Sequence, residues 1–165
     1  MPLRFGWSGR AKGSGFAFAR YKNLAAFCAV AVEVNIEHES GHVRLGRAIA
    51  AVDSGQAVNP DGIKLQIAGG IIQSASWTLN EAVAFDRTHI LSRDWSSYPI
   101  LRFPDVFGEV EIHLIDRPGQ PFLGAGEASQ GPTAAAIANA LANATGRRLR
   151  ELPFTRTRVK AAIGV

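Results

Sequence analysis

"CAVAVEVNIEHESGHVRLGRAIAAVD", residues 28–53, decides the fold. In its first half Cys28, Val30, Val32, Val34 and Ile36 alternate with Ala29, Ala31, Glu33, Asn35 and Glu37. That period of two sends one set of side chains to each face of a strand. Ser40-Gly41 supplies a tight turn, and "HVRLGRAIAAVD" alternates again. The spacing predicts a long β-hairpin, and the strand pattern reaches back to Phe16.

Downstream the period changes. In "AVNPDGIKLQIAGGIIQSASWTLNEAV" (57–83), Asn59 is a good N-cap, Pro60 suits the first helical position and Asp61 favours the positive helix start. Ile63, Ile67, Ile71 and Leu79 recur at roughly helical spacing. Gly69 and Gly70 lie inside this helix, each costing about 1 kcal/mol relative to alanine. The pair points either to close approach of a backbone or ligand, or to tight helix packing. Residues 86–108 carry two prolines and no steady period. "EVEIHLID" (109–116) reads as a strand with Val110, Ile112 and Leu114 on one face, and Pro118-Gly119 as a type II turn. A second helix follows, with Pro132 in its first turn, a stripe of Ile137, Leu141 and Ala144, and Gly146 at its end. The tail reads as an extended piece with a final helical turn. The expected architecture is one α+β domain over 1–165, a long β-hairpin or mixed sheet packed with two main helices, with 1–12 as an irregular lead-in.

Composition narrows the function classes. A chain of 165 residues, 47% hydrophobic and 19% charged, has the size and make-up of one globular domain. Its net charge of +4 is scattered except for Arg147, Arg148, Arg150, Arg156, Arg158 and Lys160. No aromatic platform is interleaved with these, so a solvated surface is expected rather than a nucleic-acid interface. Cys28, the only cysteine, can form no internal disulfide and hold no iron–sulfur cluster; set in an apolar alternating run, it reads as a buried small hydrophobe. His38, His42, His89 and His113 are dispersed without metal-ligand spacing. No apolar run reaches the roughly 18 residues of a membrane span, and the first ten residues lack a signal-peptide core. The sequence leaves the compartment open.

The chemistry-bearing stretch is "GAGEASQGPTAAAIANAL" (124–141). Glu127 precedes a helix start, where the dipole and unpaired N–H groups favour negative charge by about 0.3–1 kcal/mol. On the residues alone, a helix-stabilising acid is the simpler reading. Three details open a second one. Gly124 and Gly126 permit unusual backbone angles, Ala128, Ser129 and Gly131 leave space around the carboxylate, and Ser129, Gln130 and Thr133 could donate to an anionic ligand. An acid in so open a loop could serve as a general base.

Two long segments then carry a resemblance. "LGAGEASQGPTAAAIANALANATGRRLRELPFTRTRV" (123–159) resembles the C-terminal segment of the molybdenum-binding subunit of the xanthine oxidase and aldehyde oxidase family, in its isoquinoline 1-oxidoreductase-like branch. "AVDSGQAVNPDGIKLQIAGGIIQSASWTLNE" (51–81), "GFAFARYKN" (15–23) and the hairpin resemble the segments preceding it, in order. The resemblance implies that Glu127 is the active-site base beside the molybdenum, that Gln66 contacts the pterin cofactor, and that the Gly126 backbone lies close to the metal centre. It implies molybdopterin cytosine dinucleotide as cofactor of a complete enzyme hydroxylating N-heteroaromatics or aldehydes. Its partners would be the rest of the molybdenum subunit and a small [2Fe-2S] subunit. Family subunits are several times longer, so the chain by itself is expected to be inactive, to hold no cofactor and to self-associate through uncovered apolar surface. A stand-alone, non-catalytic domain that binds a partner chain or a nucleotide through its helix starts is the alternative.

Overall fold

The computed structural model describes residues 13–22 and 26–164; the expected lead-in at 1–12 lies outside them. Three strands, β1 (Ser14–Arg20), β2 (Phe27–Glu37) and β3 (His42–Asp53), form an antiparallel meander, and β4 (Glu109–Leu114) adds to β3 in parallel, giving the order β1-β2-β3-β4. The hairpin runs from the Phe27–Asp53 pair to the Glu37–His42 pair, with one register shift between Val32 and Val34. The extra residue lies in β3, whose buried set passes from Val43 and Leu45 to Ala48, Ala50 and Val52, so that both parts face the core with the unbroken Val30, Val32, Val34 and Ile36 of β2.

Helix α1 (Pro60–Leu79) crosses from β3 towards β4, and α2 (Gln130–Thr145) lies across β1 and β2. Asn59 caps α1, its side chain accepting the Gly62 N–H at 2.9 Å, with Pro60 at the first helical position. Ile67, Ile71 and Leu79 are buried against the sheet, while Val110, Ile112 and Leu114 pack on the same core from β4. Ile137 and Leu141 are fully buried on α2, which ends at left-handed Gly146. Pro118 and Gly119 form the expected type II turn: Gly119 has φ +80° and the Gln120 N–H reaches the Arg117 carbonyl at 3.1 Å.

The chain end differs from expectation. The final turn is an eight-residue helix, α3 (Arg156–Ile163), capped by Thr155 and pinned by fully buried Val159. Its sequence is charged and without a broad apolar stripe, so a single buried valine carries the packing that the pattern hid. Helix α2 begins at Gln130, which puts Pro132 in its first turn as expected.

Candidate functional site

The strands β3 and β4 run side by side and end together, at Asp53 and Leu114. Beyond the carboxyl ends of parallel strands the chain diverges and leaves a crevice, the usual place for a ligand on such sheets. Here the two departing segments, 54–57 and 115–123, stay bound to each other. The Ile115 N–H donates to the Val52 carbonyl, Arg117 N–H to Gly55, and Leu123 N–H to Ser54. Asp116 accepts the Ala57 N–H at 2.8 Å, Gln56 accepts the Gly119 N–H at 3.1 Å, and Asp53 holds both Gly55 N–H and the Arg117 guanidinium at 3.0 Å. Gly55 is required by this crossing. A Cβ there would sit 1.9 Å from the Pro121 carbonyl oxygen, and its φ is +77°.

The result is an open pocket of about 340 Å³ between the α1 start and the 122–126 segment, lined among others by Asn59, Gln66, Phe122, Leu123 and Gly126. Gln66 and Gly126, sixty residues apart in sequence, meet on this one surface. Glu127 follows directly, on the turn that leads into α2, and is exposed. The Gln66 amide is exposed and makes no hydrogen bond among the described residues. Among the described residues, a Cβ at Gly124, Gly126 or Gly131 would meet nothing within 4 Å. Donor groups and clearance are therefore both present where a cofactor would approach, and the residues fit a group of that size and polarity.

Several expectations about the loop change. Neither Gly124 nor Gly126 adopts a left-handed backbone, so these glycines give space rather than unusual angles. The Ser129 hydroxyl is buried and donates to the Ile67 carbonyl at 2.9 Å, and Thr133 donates to the Ser129 carbonyl at 2.7 Å. Both are spent on the protein's own backbone and cannot serve an anionic ligand, whereas the half-buried Gln130 pairs with Gln73 at 2.7 Å. The two α1 glycines also separate. A Cβ on Gly70 would lie 2.4 Å from Ser129 Oγ, so Gly70 exists for helix packing, while Gly69 faces open space.

The sequence reading missed Tyr21. At the end of β1, its hydroxyl donates to Glu127 Oε2 at 2.5 Å, across 106 residues of sequence. Beside it Lys22 holds its ammonium 5.1 Å from the Tyr21 ring centre. The Lys22 ammonium is held above its usual range chiefly by its hydrogen bond with Tyr21, with the Glu127 carboxylate adding to it. So Glu127, which has no cation near it in sequence, has one near it in space. The only available signal was that Tyr21 lies within the "GFAFARYKN" segment.

Among the described residues no group of three or more histidine, cysteine or acidic side chains could hold a metal ion, and no helix is long and apolar enough to cross a membrane. Exposed apolar side chains are plentiful near the pocket, with Val58, Leu65 and Phe122 each more than 70% accessible.

Comparison with known proteins identifies the family and the fold. Residues 7–107 match the family model described as a molybdopterin cofactor-binding domain. The chain is 42% identical over 159 residues to one of the subunits of nicotinate dehydrogenase from Pseudomonas putida, covering 93% of this chain and 13% of that protein. It is 33% identical over 140 residues to the beta subunit of isoquinoline 1-oxidoreductase from Brevundimonas diminuta, covering 85% of this chain and 17% of that one. Among solved structures, quinoline 2-oxidoreductase from Pseudomonas putida superposes with a TM-score of 0.74 at 27% identity, over 84% of this chain and 19% of its own. The chain thus spans less than a fifth of the length of these relatives. A pocket beyond the β3 and β4 ends, a match over most of the chain and a shared fold lead to one assignment: the chain belongs to the xanthine oxidase family, as a molybdopterin cofactor-binding domain of its molybdenum-binding segment.

Proposed function

We propose that this domain forms the base-bearing wall of the active site of a molybdenum hydroxylase, with Glu127 as general base and Gln66 and the Gly126 backbone as contacts to the cofactor. The convergence of Gln66 and Gly126 on one open pocket, with Glu127 on the next residue, carries the reading. The names of three relatives, for nicotinate, isoquinoline and quinoline, favour an N-heteroaromatic substrate over an aldehyde. The cofactor in this reading is the cytosine dinucleotide form of molybdopterin. The partners are the rest of a molybdenum subunit and a small [2Fe-2S] subunit, and turnover belongs to that assembly.

When bound, the cofactor supplies the two-electron redox chemistry, and the protein supplies position and proton transfer. Gln66 can both donate and accept through its unpaired amide, which suits the edge of a pterin. Gly126 lets the backbone approach without a side chain in between. Glu127 takes up a proton as the substrate carbon is attacked, and its exposed place in the turn leaves the carboxylate reachable from the pocket side. Phe122, Leu123 and Ala125 give the pocket an apolar wall against which a flat ring can lie.

The test is Glu127→Gln in the assembled enzyme. Turnover should fall by at least about 10²-fold, the lower range for removing a general base, while molybdenum and pterin content stay unchanged. Near-normal turnover in a fully loaded variant would refute the base assignment.

A further inference from the structure

We propose that Tyr21 is a positioning residue for Glu127, holding one carboxylate oxygen so that the other is presented to the proton it must accept. This inference rests on the reading of Glu127 as base and adds a residue to it. The Tyr21 hydroxyl donates to Glu127 Oε2 at 2.5 Å, and Oε1 accepts no hydrogen bond among the described residues. A carboxylate on an exposed turn would otherwise sample several rotamers. One charge-assisted bond from a fixed donor selects among them.

The donor itself is fixed. The Tyr21 ring is half-buried against the core, and its backbone N–H donates to the Ala26 carbonyl at 2.7 Å. Lys22 has φ +49°, a left-handed conformation that is strained for a lysine and that tends to mark functional sites. The same conformation leaves the ammonium over the Tyr21 ring and in the field of Glu127. Lysine, tyrosine and glutamate thus form one chain of contacts ending on the candidate base. Tyr98 makes the same type of bond to Glu81 at 2.8 Å, away from the pocket, and serves as an internal control.

The experiment compares Tyr21→Phe, Tyr98→Phe and Glu127→Gln in the assembled enzyme. The phenylalanine at 21 retains the ring that packs on the core, so folding should be preserved. Tyr21→Phe should lower kcat by roughly 10- to 100-fold, as expected for a lost hydrogen bond to a charged group, and leave KM within about twofold. Tyr98→Phe should match the parent. If Tyr21→Phe leaves kcat at the parent value while Glu127→Gln abolishes it, the positioning role is wrong and the base stands. If Glu127→Gln keeps its turnover, both fall. A second readout needs no turnover. In the 165-residue chain carrying Tyr98→Phe, Tyr21 is the sole tyrosine, and its Raman Fermi doublet reports whether the phenol donates. Adding Glu127→Ala should move the intensity ratio away from that of a strong donor, and an unchanged doublet would overturn the proposal.

Discussion

Adjacent glycines in the middle of α1 should respond to the same substitution with opposite signs. Gly69→Ala places a methyl in open space on the exposed side of the helix. It should gain the helix-interior preference of alanine over glycine, about 0.5–1 kcal/mol. Gly70→Ala gains the same preference but puts its Cβ 2.4 Å from Ser129 Oγ, inside contact distance. Ser129 is fully buried, and turning its hydroxyl away breaks the 2.9 Å bond to the Ile67 carbonyl. A stranded buried hydroxyl costs about 1–3 kcal/mol, and if the serine stays, overpacking costs about the same. The net effect should be a loss of about 1–2 kcal/mol. In thermal melts that corresponds to a drop of roughly 2–8 °C for a chain of this size, against a rise of a few degrees for Gly69→Ala. Removing the obstacle supplies the decisive test. In a Ser129→Ala background the nearest remaining neighbours of a Cβ at position 70 are Gln130 Cγ at 3.6 Å and the residue-129 Cβ at 3.8 Å, both ordinary contacts. Gly70→Ala should then become neutral or stabilising, so urea titrations of the four-member cycle should give a favourable coupling. A Gly70→Ala variant as stable as Gly69→Ala, or a cycle that is strictly additive, would show that Ser129 does not dictate the glycine.

Two further outcomes follow from titrating groups away from the pocket. Burial pushes the Cys28 thiol up to about 12, so a thiol reagent at neutral pH should react only as the chain unfolds, and stoichiometric labelling of the native protein would contradict the packing. Asp94 is held below the ordinary aspartate value of 3.8 by hydrogen bonds from the Ser97 backbone and hydroxyl and from Ser96. Its contribution is present above that value and is lost as pH falls through the lower folded value, so acid should loosen the 94–97 turn. Asp94→Asn should weaken the turn at neutral pH and flatten this acid limb, as followed by the exchange of the Ser96 and Ser97 amides; a parent-like acid limb in that variant would refute the assignment.

The fold was legible wherever a local period or a cap spelled it out. Alternation over residues 28–53, Asn59-Pro60 ahead of a helical stripe, and Gly146 at a helix end each have one simple solution. The parallel seam between β3 and β4 has no local signature, because the strands are separated by 55 residues and only the order of elements relates them. Ser129 and Thr133 illustrate a second limit. Small polar residues beside a glycine-rich turn read as ligand donors, yet a buried hydroxyl takes the nearest carbonyl to avoid going unpaired, and the carbonyl was Ile67, sixty-two positions away. Of the site, Glu127, Gln66 and Gly126 were named through a family likeness and not through their own chemistry. Tyr21 escaped because nothing in "ARYKN" distinguishes a tyrosine that packs from one that holds a carboxylate.

The zipper between residues 54–57 and 115–123 has a consequence for how the pocket breathes. Among the described residues β4 pairs with β3 alone, at the edge of the sheet, and the pocket's outer wall is the direct continuation of it. Opening that wall gives up the bonds made by the Ala57, Gly119 and Leu123 amides, and peeling β4 as well would add the whole β3–β4 ladder, so the cheaper excursion swings the wall alone with β4 as its hinge. Amide exchange at Arg117 and Leu123 should therefore be faster than within β4, and equal rates in the two would show that they open as one unit. The mouth of the pocket is in this sense a door hung on the edge of the sheet, and the bonds to residues 54–57 are the latch that sets how often a ligand finds it ajar.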